Sequence, residues 1–247
     1  SHMSDNVAKV ILMGRKPGAA KALECLLDKG ISVPLVAAQK DEGYEKNLYR
    51  TAAERGIRVI SDRELYELIG EKHKDVENID LAISYLFWNR IKQPLIDIAR
   101  LGCINFHPAP LPDYKGRAGY NTAILDGRTE YGVSAHYIDS EDFDSGPIIK
   151  VSTFPMDPNT ETALSLEATS QTKLYELFEE VVDMFTRGEH VVTMPNEGGV
   201  YLSSEELEAL KEVDLEKDSP EVIDRKIRAF FFPPHTGATV TVNGQKY

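Results

Sequence analysis

The sequence has few cysteines and no long apolar run, and both absences exclude classes of protein. It contains two cysteines in 247 residues. Both lie in apolar patterns, so we expect packed thiols in a reducing, cytoplasmic protein, and two cysteines cannot form a cysteine-only zinc site. No stretch approaches the roughly 20 apolar residues that a membrane span needs, and no signal-peptide pattern opens the chain. We therefore expect neither a membrane protein nor a metal site.

Basic residues are also in the minority. The chain has 28 Lys and Arg residues against 40 Asp and Glu residues, which gives a formal net charge of −12. Proteins that bind nucleic acids usually present a basic surface, because phosphate contacts supply most of their affinity. We therefore expect no nucleic-acid partner. The G-x-G-x-x-G fingerprint is missing after the first apolar run, which argues against a nicotinamide-dependent dehydrogenase or sugar epimerase.

The remaining composition is typical of a soluble globular protein, with 42% hydrophobic and 28% charged residues. The length suits one large domain with a small appendage. Residues 1–3 resemble the remnant of a cleaved tag, and Gly198-Gly199 marks a change in sequence character near the C-terminus. We therefore predict a main domain over 4–195 and a C-terminal extension over 196–247.

Short apolar runs alternate with segments of helical periodicity along most of the chain. The predicted strands are 7–13, 33–37, 58–60, 81–85, a segment at residue 105, 133–138 and 147–151. The predicted helices are 19–27, 45–55, 62–68, 72–76, 92–99, 118–125, 161–187, 203–211 and 220–229, and a hairpin over 239–247 turns at Asn243-Gly244. This order predicts an α/β fold with a Rossmann-like, mostly parallel sheet, helices on both faces, and a short C-terminal helix and β-hairpin extension.

One polar motif stands at the end of a predicted strand. Asn105 and His107 are two residues apart, so their side chains share a face of an extended segment. The prolines that follow end the strand and place the pair at the carboxyl edge of the sheet, where open α/β proteins bind ligands. An Asn amide donates to an oxyanion, His carries a proton near neutral pH, and Asp144 can orient the imidazole. These groups suit acyl transfer to an amine, whereas the pair alone is also compatible with a structural strand end.

The whole run from Asn105 to Gly116 resembles the signature of the folate-dependent formyltransferases, N-x-H-P-(S/A)-x-L-P-x-(Y/F)-(R/K)-G with D-x-G-x-I downstream. The matching positions are Asn105, His107, Pro108, Leu111, Pro112, Tyr114, Lys115, Gly116, Asp144, Gly146 and Ile148. The resemblance implies formyl transfer from N10-formyltetrahydrofolate, with Asn105, His107 and Asp144 as catalytic residues. The loop after His136 is one residue longer than in some relatives, which leaves Asp142 as an alternative to Asp144, although the Ser-Gly-Pro-Ile-Ile that follows favours Asp144.

Other features narrow the branch of the family. The segment Ile227-Arg228-Ala229-Phe230 with Thr236-Gly237-Ala238 resembles the one that closes the catalytic domain, and nine residues follow it. Methionyl-tRNA formyltransferases add a barrel domain and a basic surface there, formyl-folate hydrolases carry an N-terminal regulatory domain, and glycinamide ribonucleotide formyltransferases typically lack this extension. The resemblance therefore favours the branch that formylates nucleotide-linked amino sugars for bacterial surface polysaccharides.

Within that branch, the expected acceptor is a dTDP-4-amino-4,6-dideoxyhexose, with a 3-amino sugar or a GDP-linked sugar as close alternatives. Two further alternatives stay open. One is a phosphoribosylglycinamide formyltransferase, and the other is a non-catalytic module that binds folate or nucleotide sugars. A pure binding module needs no amine base, so the intact catalytic set argues against it.

The resemblance also implies two binding regions. The folate would lie against backbone groups of two loops, which contain Tyr85, Leu86, Phe87, Trp88, Ile91, Asp139, Ser140, Glu141 and Asp142. The alternatives are that the aromatic residues pack in the core and that the acidic loop is merely solvated. The loop after the first strand would bind the substrate phosphates through Gly14, Arg15 and Lys16.

Further substrate contacts are expected around the catalytic loop and near the C-terminus. Lys115, Gly116, Arg117 and Tyr120 flank the catalytic loop and could reach the hexose or the phosphates. Arg228, Phe230, Phe231 and Phe232 could carry the base by stacking, although at least two of these Phe residues could instead pack the hairpin onto the main domain. The hairpin after Thr239 leaves an edge strand, so we expect a homodimer.

Overall fold

A seven-stranded sheet forms the centre of the protein, which a computed structural model describes over residues 6–40 and 42–247. The predicted tag remnant at residues 1–3 lies outside the described residues. The strands of this sheet are β1 (Val10–Gly14), β2 (Leu35–Ala37), β3 (Arg58–Ile60), β4 (Leu81–Tyr85), β5 (Cys103–His107), β7 (Glu130–Tyr137) and β8 (Ile148–Pro155). Their order is β3-β2-β1-β4-β5-β7-β8, parallel through β5 and antiparallel from β5 to β8. The predicted mostly parallel α/β fold is confirmed.

Helices cover both faces of this sheet. They are α1 (Lys16–Asp28), α2 (Leu48–Glu54), α3 (Asp62–Gly70), α4 (Gly119–Leu125), α5 (Ala163–Thr186), α6 (Ser204–Leu210) and α7 (Pro220–Ala229). Alternate residues of β1 serve two cores, because side chains along a strand point to opposite faces. Leu12 packs with α1, α2 and α5, whereas Met13 packs with α3. In the first core, Tyr85 and Phe106 lie against Phe178 of α5 with ring centroids 5.8 and 5.2 Å away.

Two predicted helices are wrong. Residues 92–99 contain a single 3₁₀ turn, Leu95–Asp97, and residues 72–76 contain another, Lys74–Val76. The apolar spacing over 92–99 reflects the burial of Leu95 and Ile96 rather than an α-helix. The amides of Asp97 and Ile98 donate to carbonyls three residues back, as in a 3₁₀ turn. Helix α2 also begins later than predicted, since the Asn47 side chain caps it by accepting from the Arg50 amide.

The C-terminal part adds short elements to the sheet layer. β6 (Tyr114–Lys115) pairs with β9 (Val200–Tyr201), and β10 (Glu212–Val213), β11 (Thr239–Val242) and β12 (Gln245–Lys246) form a small sheet of their own. The predicted hairpin is confirmed, and its turn residues Asn243 and Gly244 both have positive φ, as a type I′ turn requires. The division at residue 195 stays a prediction. Within the described residues, no helix is long and apolar enough to cross a membrane.

Candidate active site

The polar face at the end of β5 is completed by the neighbouring strand β7. In the antiparallel register, Asn105 lies opposite His136 and His107 lies opposite Ser134. Four polar side chains therefore share one patch of the sheet, at the place where parallel pairing gives way to antiparallel pairing. The β7–β8 register also shifts between Ala135 and His136, and such irregularities re-aim side chains beside active sites.

The loop after β7 brings Asp144 onto this patch. Its Oδ1 atom lies 3.5 Å from His107 Nδ1 and 3.7 Å from His136 Nε2, and its Oδ2 atom accepts the Gly116 amide at 2.8 Å. The alternative residue, Asp142, is exposed, and its amide donates to the Ser140 hydroxyl. The structure thus brings Asn105, His107 and Asp144 together, as the sequence predicted, and leaves Asp142 outside the group.

Backbone carbonyls determine which ring nitrogens carry protons. His107 Nε2 lies 2.9 Å from the Tyr114 carbonyl oxygen. A carbonyl can only accept, so Nε2 carries the hydrogen and Nδ1, which faces Asp144, is the remaining position for a proton. His107 is 4% exposed, so this choice is made away from bulk water.

The environment of Asp144 favours its ionised form. Burial alone would raise the pKa of this carboxyl, but His107, His136 and the Gly116 amide together outweigh it and hold the pKa well below its usual range. The side chain is only 10% exposed. A negative charge therefore lies beside both imidazole rings.

Two side chains outside the motif hold the proline-rich loop after His107. The Ser134 hydroxyl donates to the Ala109 carbonyl and accepts the Leu111 amide, at 2.7 and 2.9 Å. The Tyr131 hydroxyl donates to the Pro108 carbonyl at 2.9 Å. These hydrogen bonds fix the loop against β7, so the position of the catalytic patch depends on β7 as much as on β5.

A segment from the C-terminal part holds the loop that carries Asp144. The Asn196 amide group donates to the carbonyls of Asp144 and Gly146 at 2.7 and 2.8 Å. Next to it, the Tyr201 ring lies against Gly116, where an added Cβ would stand 2.9 Å from the ring. Gly116 also has a positive φ of 77°, which favours glycine. We call the segment over 196–201 the clamp. It reaches the catalytic loop from beyond the predicted domain boundary.

Sequence reasoning missed His136, Ser134 and Asn196. The first two had a signal, because Ser134 and His136 alternate with apolar residues along β7 and so had to share one face. Asn196 gave no such signal, because it lies in a segment without periodicity and its role depends on contacts with residues about 50 positions away.

The first predicted folate loop continues directly from β4. Tyr85 is fully buried in the core, and burial raises its pKa, so its ring is structural. Leu86 has a positive φ of 59° and turns the chain. The Phe87 and Trp88 rings lie 4.4 Å apart and are half-buried, and Ile91 is buried. The loop thus presents an aromatic wall rather than a polar one.

The second predicted folate loop meets the first. The Arg90 guanidinium donates to the Glu141 carbonyl at 2.9 Å and lies over the Phe143 ring at 4.6 Å. Asp139, Glu141 and Asp142 are exposed, and Ser140 is half-buried. Beside this contact lies a cleft of about 1030 Å³, which is lined by Asp62, Arg63, Tyr66, Glu67, Asn89, Arg90, Lys92, Gln93, Pro94 and Glu141. Of the predicted folate residues, Glu141 alone lines this cleft, and the aromatic pair Phe87 and Trp88 lies in the loop just before Asn89.

The predicted phosphate loop is already engaged with the chain itself. Gly14 is buried at the end of β1, and Arg15 Nε donates to the Leu86 carbonyl at 2.7 Å. The Lys16 amide donates to Glu42 at 2.6 Å, and Lys16 Nζ pairs with Glu167 at 3.4 Å. The donors at the start of α1 thus have internal acceptors, and Arg15 braces the first folate loop.

Positive charge nevertheless gathers at this edge of the sheet. Burial and then the nearby Arg117 lower the pKa of Arg15. The two guanidinium groups donate to carbonyls two residues apart, those of Leu86 and Trp88. Arg117 is exposed and donates to the Trp88 carbonyl at 3.4 Å. Lys115 is half-buried in β6, and the Tyr120 hydroxyl accepts from Gln171 at 3.5 Å. A cationic pair therefore lies beside the first folate loop in a chain of net negative charge.

The predicted substrate residues near the C-terminus lie in different environments. Arg228 pairs with Asp224 at 2.9 Å and donates to the Glu161 carbonyl. Phe230 is buried in the core, and the ring of Phe232 contacts His235. Phe231 is 47% exposed, and its carbonyl accepts the amide of Leu164 at the start of α5. Only Phe231 offers an accessible ring for stacking.

The fold and this patch together define an enzyme for acyl transfer to an amine, with an amide donor, an imidazole and an ionised carboxylate at a strand edge. A sequence model of the formyl transferase family matches residues 2–182. The chain belongs to this formyl transferase family, and it is an N-formyltransferase that uses formyl-folate as its donor.

Relatives from two branches resemble the chain. It is 28% identical over 249 residues to the methionyl-tRNA formyltransferase of Nitrosospira multiformis, which covers 96% of this chain and 76% of the relative. It is 32% identical over 168 residues to the GDP-perosamine N-formyltransferase of Brucella melitensis, which covers 68% of this chain and 63% of the relative. Both relatives are formyltransferases, and their names give different acceptors, a methionyl-tRNA and a sugar nucleotide.

Solved structures resemble the chain over nearly its whole length. An N-formyltransferase from Helicobacter canadensis, in complex with folinic acid and dTDP-3-aminofucose, has a TM-score of 0.76 at 25% identity, over 97% of this chain and 86% of that one. A 4-N formyltransferase from Francisella tularensis shares the fold, with a TM-score of 0.78 at 20% identity, over 100% of this chain and 96% of that one. The likeness thus includes the C-terminal elements beyond α5.

The depressed pKa of Asp144 predicts a pH-dependent contribution to stability. A carboxyl whose pKa is lowered by folding stabilises the native state above its unfolded pKa of about 3.9, and this stabilisation is lost as the pH falls toward the folded value. We expect Asp144→Asn to lower the free energy of unfolding by on the order of 1–3 kcal/mol at pH 7. Denaturant titrations should show this difference shrinking below about pH 4. The exposed Asp142→Asn is the control, and a difference for Asp144→Asn that does not vary with pH would contradict the prediction.

Proposed function

We propose that the protein transfers a formyl group from N10-formyltetrahydrofolate to the amino group of a nucleotide-linked amino-dideoxy sugar. The favoured acceptor is a dTDP-4-amino-4,6-dideoxyhexose, used by the cytoplasmic enzymes that build a bacterial surface polysaccharide such as the O-antigen of lipopolysaccharide. The observation that carries the proposal is the pair Arg15 and Arg117, whose guanidinium groups both donate to carbonyls of the first folate loop. Arg117 also follows Gly116, whose amide donates to Asp144, and a pyrophosphate needs such charges. The likeness to a sugar-nucleotide complex over 97% of the chain supports it.

The hydrogen bonds of the patch support the following catalytic roles. Formyl-folate supplies the one-carbon unit. Asn105 is the donor placed to bind the formyl oxygen as negative charge develops on it, and such a donor is worth about 3–4 kcal/mol in the barrier. The proton that leaves the attacking amine goes to His107 Nδ1 beside Asp144, because His107 Nε2 already donates to the Tyr114 carbonyl. The same proton then serves the folate nitrogen that departs.

The two loops fit a folate. Phe87, Trp88 and Ile91 form an apolar wall for a flat ring, and the adjoining cleft of about 1030 Å³ is large enough for the rest of the molecule. Arg63 and Arg90 line this cleft, where they can bind the carboxylates of the glutamate tail. The bracing of the first loop by Arg15 couples the donor site to the proposed phosphate site.

The acceptor assignment is tested by a direct comparison of amines. Each acceptor is incubated at equal concentration with N10-formyltetrahydrofolate. We expect mass spectrometry to show formylation of dTDP-4-amino-4,6-dideoxyglucose, as a mass increase of about 28 Da for the added CO, with a kcat/KM in the usual enzyme range of about 10⁴–10⁸ M⁻¹s⁻¹. The panel also contains dTDP-3-aminofucose, GDP-perosamine, glycinamide ribonucleotide and methionyl-tRNA. Formylation of either of the last two, with no adduct on any sugar nucleotide, would overturn the proposal.

The phosphate assignment predicts a selective effect at Arg117. Loss of one charge-assisted contact to a phosphate should raise the acceptor KM about tenfold, which corresponds to about 1.4 kcal/mol. We therefore expect Arg117→Gln to raise the KM for the sugar nucleotide in steady-state assays and to leave folate binding within about twofold. Arg187→Gln is the matched control, because Arg187 lies beyond the far end of α5 and pairs with Glu189. An unchanged acceptor KM would remove Arg117 from the site.

We also propose that the protein is a homodimer formed through the free edge of β12. Val240 and Tyr247 exchange backbone hydrogen bonds across the hairpin. The next pair, Thr241 and Lys246, is therefore a non-hydrogen-bonded pair, and the amide of Lys246 points outward. Lys246→Pro removes this outward donor without touching the hairpin ladder. Light scattering should give a dimer for the wild type and for Lys246→Ala, and a monomer for Lys246→Pro. A monomeric wild type at micromolar concentration would exclude the dimer.

A further inference from the structure

We propose that His136 is a positioning residue that orients the Asn105 amide for catalysis. The inference rests on the proposed role of Asn105 as the donor to the formyl oxygen. His136 lies outside the motif that defines the catalytic residues and is 2% exposed.

The argument begins with the proton on the imidazole. His136 Nδ1 lies 2.8 Å from the Tyr137 carbonyl oxygen. Because a carbonyl only accepts, Nδ1 must carry the hydrogen, and in the neutral ring Nε2 is then an acceptor. The backbone of β7 therefore fixes the tautomer of this histidine.

The second step concerns the amide. Asn105 Nδ2 lies 3.1 Å from His136 Nε2, across the antiparallel pair. An acceptor at Nε2 attracts the NH₂ group and repels the amide oxygen, so the tautomer selects one of the two amide orientations. This orientation keeps the donor end of Asn105 on the side of His136 and Asp144, and one N–H of the NH₂ group stays available for the formyl oxygen. The reversed orientation would present an acceptor to a developing negative charge.

The only charged group that faces His136 within the described residues is Asp144, whose Oδ1 atom lies 3.7 Å from Nε2. This distance is too long for a direct hydrogen bond. The other strand beside His136 contributes Ile148 at the paired position. The contact with Asn105 is therefore the shortest polar interaction that Nε2 makes, and a role through Asp144 is the alternative to be tested.

A double-mutant cycle separates these roles. We expect His136→Leu to lower kcat about tenfold with dTDP-4-amino-4,6-dideoxyglucose and to leave both KM values within about twofold, because the amide loses its orientation but not its substrates. His136→Gln, which keeps an acceptor near the Nε2 position, should recover most of kcat. In an Asn105→Ala background, His136→Leu should cost nothing further, since the two residues act as one unit. An equal loss in that background, or a Gln variant as slow as the Leu variant, would overturn the proposal.

A second measurement does not depend on activity. Long-range ¹H–¹⁵N correlation spectra of the histidine rings should show His136 with its proton on Nδ1 at pH 7.5, and Asn105→Ala should shift the Nε2 resonance. A proton on Nε2, or an Nε2 resonance that ignores Asn105→Ala, would overturn the inference. If no amine in the panel is formylated but these spectra agree, the acceptor assignment fails and the positioning contact stands.

Discussion

The antiparallel pairing of β7 with β5 is the constraint on which the catalytic patch depends. The parallel half of the sheet delivers Asn105 and His107 to its carboxyl edge, as many α/β folds would. The antiparallel partner then places His136 and Ser134 opposite them in register. A shift of one residue in this register would turn the polar face of β7 away from the patch and break the hold of Ser134 on the loop. The chemistry is therefore encoded in strand pairing as well as in residue identity.

Two backbone carbonyls determine which nitrogen of each neighbouring histidine faces Asp144. The carbonyl of Tyr114 fixes the proton on His107, and that of Tyr137 fixes the proton on His136. Each ring consequently turns its other nitrogen toward the same carboxylate. The tautomers of the neutral rings are thus set by groups that cannot titrate, and the environment of the carboxyl group between the rings favours its ionised form.

How much could be read from the sequence depended on whether a residue acts through local pattern or through distant contact. β5, the Asn105 and His107 pair and the type I′ hairpin follow from spacing and turn chemistry, which are local. The helix expected over 92–99 is wrong because the apolar spacing there reflects the burial of Leu95 and Ile96 in a single 3₁₀ turn. Arg228 and Phe230 have side chains suited to binding a nucleotide, but Arg228 pairs with Asp224 and Phe230 packs in the core.

The clamp over residues 196–201 makes the catalytic loop depend on a distant part of the chain. The family match ends at residue 182, whereas the hydrogen bonds from Asn196 that hold the Asp144 loop come from beyond it. The loop that carries Asp144 is therefore held by a part of the chain that the family model does not cover. A change confined to the clamp can alter the position of Asp144 while Asn105 and His107 stay unchanged.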